Sequence, residues 1–285
     1  MSSHVWKLVY QHLRRVNRRT PKQGRTCQYD DTTIVAMYLW AAFHDRPLCW
    51  AADRSNYSSV FRPRKLPSRS QFGRRIRSAR CQLLLAALNR ELAAVEDVPN
   101  IFVMDSRPLT VGAYSQDPDV RTGYIKGGFT KGYKLHALAT KQGQIVSWRL
   151  TALNRNDKPV AYELIDEARP TGIVLADGSY DSGALYDHVS KHEAMLFTPL
   201  RANAGRGHRP QSKARLFAVR VWECGGEDLY RQRLEIERIF SQQSSFGGGL
   251  APLPAWVRRW PRVHRWVTAK IILYHARLAL RRSAA

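Results

Sequence analysis

The sequence predicts an α/β fold, one mixed sheet flanked by helices, with a basic helical N-terminal region in front of it. Three observations carry this. Residues 1–100 read as helices and hold 18 Lys and Arg against 7 Asp and Glu. At Val98-Pro99-Asn100 the pattern changes to short apolar runs rich in strand formers. From residue 157 to 199 helical and strand patterns alternate, as in a sheet with helices on its faces.

Taken in order, Asp30, Asp31, Thr32 and Thr33 precede IVAMYLWAAF as an N-cap cluster precedes a helix, and Arg46-Pro47 closes that segment. SVFRPRKLPSRSQFGRRIRSAR is a basic stretch punctuated by proline, and CQLLLAALNRELAAV is a helix by its Leu and Ala content. IFVMD, GYKLHALAT and QIVSWRLT are strands, the last two joined by a turn at Lys141-Gln142-Gly143. DKPVAYELIDEAR is a helix with Asp157 placed to cap it and Pro170-Thr171-Gly172 to end it. Strand, helix and strand follow in GIVLAD, DSGALYDHVSKHE and AMLFTP. Residues 201–227 read as a mobile basic loop, and EDLYRQRLEIERIFSQQ as one helix. The last segment, HRWVTAKIILYHARLALRR, spaces Val267, Ile271, Tyr274 and Leu278 to pack one helix on the main domain. The domains expected are thus 1–98, 99–250 and 251–285.

The chain of 285 residues is 44% apolar, enough to bury a core, which excludes disorder and low complexity. Its 46 Lys and Arg against 23 Asp and Glu leave +23, an excess that calls for a polyanion. Nucleic acid is the default partner, and residues 1–98 its expected contact region. Cys27, Cys49, Cys81 and Cys224 show no C-x-x-C spacing, which argues against a zinc knuckle or a disulfide framework and for a reducing cytoplasm. No segment reaches the roughly 18 uninterrupted apolar residues of a membrane span. Residues 266–280 come nearest, and Lys270, His275 and Arg277 interrupt them.

Two acids end apolar strands: Asp105 after IFVM and Asp177 after IVLA. Each either caps the turn leaving its strand or is held there for chemistry. A third acid is selected by helical geometry. At about 100° per residue, Tyr230, Arg233 and Glu237 share a face that Glu235 does not, although Arg233 and Glu237 could also be a plain i, i+4 ion pair. Three carboxylates from two strand ends and a helix suit a pair of Mg²⁺ or Mn²⁺ ions, which at about 4 Å apart activate an attacking oxygen and stabilise a departing one. That predicts phosphoryl transfer on DNA or RNA. No GxxxxGK[ST] loop is present, so nucleotide hydrolysis as an energy source is unsupported.

The passages VMDSRPL, GYKLH, LNRNDKPVAYELI, VLADGSYDS and YRQRLEIERIF make residues 100–245 similar to the DDE transposases of bacterial insertion sequences. The family signature of Tyr, Arg and Glu is matched by Tyr230, Arg233 and Glu237, while position 244 is Ser where the signature has Lys. The resemblance implies an RNase H-like fold with Asp105 on the first strand, Asp177 after the fourth and Glu237 on the catalytic helix. It further implies two-metal cleavage at transposon ends and strand transfer into double-stranded target DNA, by a homodimer or larger assembly in the nucleoid. A nuclease of the same fold, and a DNA-binding derivative without catalysis, are the alternatives.

Among secondary candidates, Tyr230 and Arg233 share the face of Glu237 and suit DNA contact, since an Arg grips a phosphate with two hydrogen bonds. Lys126, Lys131 and Lys134 flank Gly127, Gly128 and Gly132, either a close phosphate approach or a solvated basic loop. Asp181 reads as the N-cap of the following helix, and His136 as a sheet-face histidine satisfied by a hydrogen bond. From Arg238 to Ala285 there are nine basic residues and no acid, so DNA is expected on more than one side.

Overall fold

The computed structural model describes residues 3–21, 28–94, 100–199, 212–245, 250 and 252–283. It divides into two units, Met1–Ala94 with Gln243–Ala285, and Val95–Gln242. The boundary expected at Val98-Pro99 lies outside the described residues.

The first unit is built from helices. In α1 (Ser3–Arg19) Val5, Trp6, Val9, Leu13 and Val16 form a buried stripe, leaving Arg14, Arg15 and Arg18 outside it. In α2 (Asp31–Phe43) Thr32 and Ile34–Ala42 are all buried, so it is the central helix of this unit. Asp30 caps it, accepting the Thr33 N–H at 3.3 Å. The short α3 (Leu48–Ala51) follows, then α4 (Arg69–Ile76) and α5 (Ala79–Ala93). The basic stretch therefore contains a helix where only loop punctuation was read. Its signal is a capping box: Ser68 Oγ accepts the Gln71 N–H at 3.3 Å and Gln71 Oε1 accepts the Ser68 N–H at 3.0 Å, while Phe72 and Ile76 are buried one turn apart.

The C-terminal helix (Trp260–Ser283) packs on α1, α2 and α5 and belongs to this unit, not to the main domain on which it was expected to pack. The polar residues interrupting its apolar run explain the choice. Lys270 pairs with Asp45, and His275 Nδ1 lies 3.2 Å from Asn89 Oδ1. Burial holds His275 neutral, its pKa pushed down to about 3. Among the described residues no helix is long and apolar enough to cross a membrane.

The second unit holds a six-stranded sheet: β1 (Ile101–Thr110), β2 (Arg121–Ile125), β3 (Gly128–Thr140), β4 (Ile145–Ala152), β5 (Gly172–Leu175) and β6 (Ala194–Phe197). β3 pairs antiparallel with β1 on one side, and with β2 and β4 end to end on the other. β5 and β6 then add in parallel beyond β1. The strand β2 and the first four residues of β3 were not expected as strands, because their alternation is interrupted by glycine. The helix α6 (Asp157–Ala168) buries Val160, Ala161, Leu164 and Ile165, and α7 (Gly183–Ser190) buries Leu185, Tyr186 and Val189. Asn156, not Asp157, caps α6, accepting the Lys158 N–H at 3.0 Å. Gly172 (φ 85°) enters β5 where a Cβ would stand 2.4 Å from the Asn100 carbonyl oxygen, so only glycine fits.

Half of the expected basic loop is instead α8 (Lys213–Glu223), capped by Ser212; residues 200–211 lie outside the described residues. The helix expected over 228–245 is broken into α9 (Glu227–Arg231) and α10 (Leu234–Ser245).

Burial pushes the Lys270 ammonium below its usual range while Asp45 pulls it back; burial likewise pushes the Asp45 carboxyl up against the pull of Lys270. Such a pair adds little net stability, yet losing one partner strands a charge. Asp45→Asn, which the left-handed backbone there (φ 53°) tolerates, is expected to cost about 2–4 kcal/mol by leaving Lys270 buried and unpaired. Lys270→Met is expected to cost less, since Asp45 can turn to water. Urea unfolding of both variants checks this order.

Candidate active site

Strand pairing places the first two acids. β1 runs parallel to β5 with Val103 opposite Leu175, so Asp105 and Asp177 each stand two residues beyond the same rung. Asp105 does not end its strand as expected: β1 continues to Thr110 because its ladder with β3 runs on after β5 stops. Asp105 Oδ1 accepts the Ser106 N–H at 2.7 Å. Asp177 caps the 3-10 turn Gly178–Tyr180, accepting the Ser179 N–H at 2.8 Å and the Ser179 hydroxyl. Turn capping and a place at the site are thus combined in one residue.

Arg233, at the junction of α9 and α10, gathers the remaining groups. Its Nη1 donates to Asp105 Oδ2 at 2.9 Å, and its Nη2 reaches Glu237 Oε1 at 3.5 Å. The guanidinium carbon lies 5.9 Å from the centre of the Tyr230 ring. Tyr230 and Glu237 therefore both meet Arg233, which contacts Asp105, even though the helix carrying them is broken. Glu235 turns elsewhere and pairs with Arg238 at 3.2 Å. The side chain of Ser244 lies outside the described residues.

The surroundings of Asp105 hold charges of both signs. Burial pushes the Asp105 carboxyl up to about 6, the charge of Asp177 adds to the rise, and the Ser106 N–H and Arg233 oppose it. The Tyr180 hydroxyl, which follows Asp177 by one turn, is buried among these acids without a hydrogen-bond partner. The donors Asp105, Asp177 and Glu237 are all carboxylate oxygens, the set that Mg²⁺ and Mn²⁺ favour. Arg233 supplies a cation beside Asp105 and Glu237. Among the described residues the one group of three His, Cys, Asp or Glu side chains close enough to share a single ion is elsewhere, at Asp166, His188 and His192.

The lysines divide. Lys126 is exposed in the two-residue turn joining β2 to β3, beside the exposed rings of Tyr124 and Phe129, whose centres are 5.5 Å apart. Lys134 is held within the fold: its Nζ donates to Asp157 Oδ1 at 3.0 Å and to the Arg155 carbonyl at 2.8 Å. It lies inside β3, not in a glycine-flanked loop. His136 is fully buried, with Nε2 2.8 Å from Thr151 Oγ1 and Nδ1 3.3 Å from Asp157 Oδ1; burial pushes its pKa down to about 4.

Asp181 is not a helix cap. It takes both arms of the Arg215 guanidinium, at 2.7 and 3.0 Å, with its side chain 3% exposed, and so ties α8 to the segment after Asp177. Ser182 holds the N-cap position of α7 instead. This clamp and Tyr180 were not read from the sequence, since Arg215 lies 34 residues from Asp181 in a stretch without clear periodicity.

Asp105 is expected to titrate near pH 6 by carboxyl-carbon NMR. In Arg233→Met, which removes the opposing cation, its titration is expected to move to higher pH; an unchanged midpoint would dissociate the two residues.

Residues 96–272 match the family model described as the transposase DDE domain. Among solved structures, the piggyBac transposase synaptic complex with hairpin DNA superimposes with a TM-score of 0.51 at 12% identity, covering 98% of this chain and 72% of that one. The Mos1 transposase paired-end complex with the left transposon end gives a TM-score of 0.25 at 13% identity, over 80% of this chain and 82% of that one. No curated protein matches. The RNase H-like mixed sheet is thus a fold shared with the first of these structures, and the family match over most of the chain makes it a member of the DDE-domain transposases.

Proposed function

We propose that the protein cleaves double-stranded DNA at transposon ends and joins the freed 3′-hydroxyl to target DNA, with Asp105, Asp177 and Glu237 as the catalytic carboxylates. The observation that carries this is the meeting of Asp105 and Glu237 on Arg233, with the charge of Asp177 felt at Asp105. These acids come from a strand, the segment after a parallel neighbour and a helix, and that guanidinium joins Asp105 to Glu237.

The three carboxylates would hold Mg²⁺ or Mn²⁺, two ions by the family's usual arrangement. When bound, such ions activate the attacking oxygen and stabilise the leaving oxygen of a phosphodiester. This chain's own residues set the conditions. Asp105 must be ionised, so the raised pKa makes ion uptake fall as pH drops through about 6. Arg233 holds the acids in place beforehand and is then free to take a DNA phosphate with the same two nitrogens. Tyr230 orients that guanidinium through its ring face.

The net charge of +23 supports DNA as partner on more than one side, and Lys126 at its aromatic hairpin tip supports a contact there. Lys134, engaged by Asp157, acts on the fold before it acts on DNA. A homodimer or larger assembly on DNA, and a nucleoid location, belong to the same reading.

The test is a pre-nicked transposon-end duplex with target DNA and Mg²⁺ or Mn²⁺. Joined products support transposition, cleavage alone supports a nuclease, and binding without either supports a non-catalytic derivative. Asp105→Asn, Asp177→Asn and Glu237→Gln are each expected to lower cleavage by about a hundredfold or more while end binding persists, since even partners of metal ligands cost about 10–100-fold. Glu235→Gln is expected to stay active. A combined Tyr124→Ser, Lys126→Ala and Phe129→Ser variant is expected to bind DNA more weakly and with a shallower salt dependence, read by titration at two ionic strengths.

A further inference from the structure

We infer that Asp166, His188 and His192 form a site for a divalent transition-metal ion of which Zn²⁺ is the representative, separate from the carboxylates of the proposed active site. Asp166 Oδ1 lies 2.8 Å from His188 Nε2 and 3.1 Å from His192 Nε2, and the ligand atoms all lie within 4.8 Å of one another. In a tetrahedron with metal–ligand bonds of about 2.0–2.1 Å, neighbouring ligand atoms stand about 3.3 Å apart. The two separations from Asp166 Oδ1, 2.8 and 3.1 Å, lie within about half an ångström of that edge.

The placement is built by two elements. Asp166 sits on the last turn of α6, with Tyr162 one turn before it; His188 sits on α7, with His192 one turn beyond. The Tyr162 ring meets His188 edge-on at 4.8 Å and so restrains its rotation. Both histidine side chains are about one-fifth exposed, 20% and 19%, and Asp166 is 57% exposed, so an ion can enter from solvent and keep a water. Two imidazoles and one carboxylate favour Zn²⁺ over Mg²⁺, which prefers oxygen throughout. Without metal, two imidazole N–H groups share one carboxylate oxygen; with metal, each neutral ring would turn the Nε2 lone pair to the ion and carry its proton on Nδ1.

The consequence is local. α6 leads into β5 and α7 follows the turn after it, so an ion joining them would brace both sides of the strand that delivers Asp177.

The experiment is calorimetric titration of the full chain with Zn²⁺ in the presence of excess Mg²⁺, together with Co²⁺ absorption spectra. Expected are one high-affinity Zn²⁺ per chain, a cobalt spectrum without thiolate charge transfer, and a higher Tm with zinc. His188→Gln and His192→Gln, which keep a hydrogen-bonding side chain, are expected to weaken zinc at least about tenfold and to abolish the Tm shift. Asp105→Asn is expected to bind zinc as the wild type does. Undiminished zinc binding in both histidine variants, a thiolate signature, or loss in Asp105→Asn would overturn the assignment. The outcome is independent of DNA cleavage, so it stands or falls apart from the proposed chemistry.

Discussion

The parallel pairing of β1 on β5 is the constraint on which the rest of the sheet unit depends. A strand rung fixes positions to within a fraction of an ångström, and Val103 opposite Leu175 brings two acids 72 positions apart in sequence to equivalent places two residues past that rung. Later elements of that unit meet those two places. The turn after Asp177 is stitched by its own carboxylate, the following segment is clamped by Arg215, and the α9–α10 junction presents Arg233. Apolar residues on α6 and α7 hold the sheet rigid beneath.

Burying a carboxylate is unfavourable by itself, and the elevated pKa of Asp105 records chiefly that cost, with a smaller addition from the charge of Asp177. A guanidinium lowers it without filling the pocket permanently, because an arginine on a helix junction can exchange one anion for another. A lysine there would be a poorer substitute, since it lacks the planar fork that meets Asp105 and Glu237 together.

Much of this was legible in the sequence. The strands carrying Asp105 and leading to Asp177 follow from short apolar runs, though β1 continues past Asp105 to Thr110, and the shared face of Tyr230, Arg233 and Glu237 follows from a period of 3.6 even though the backbone breaks before Leu234. What escaped was long-range or local in a different sense. The pairing of Asp181 with Arg215 has no periodic trace, and α4 announced itself only through Ser68 and Gln71, three residues apart. Glycines obscured the β2–β3 hairpin: Gly127 and Gly128 supply the positive φ its tight turn requires, and Gly123 and Gly132 leave room for the backbone of Leu153 and Leu109. The seat of the C-terminal helix could not be read from its amphipathic face. An apolar stripe says that a helix packs, and only the partners of Lys270 and His275 say where.

Those partners bear on how the chain comes to be folded during synthesis. Asp45 and Lys270 are 225 residues apart, and the sheet unit lies wholly between them. On the ribosome the N-terminal helices emerge long before the helix that completes their core, leaving apolar surface on α1, α2 and α5 uncovered meanwhile. The intervening unit, by contrast, draws its strands from one continuous stretch and can mature first. Chaperone demand should therefore fall on the two ends of the polypeptide and not on its middle.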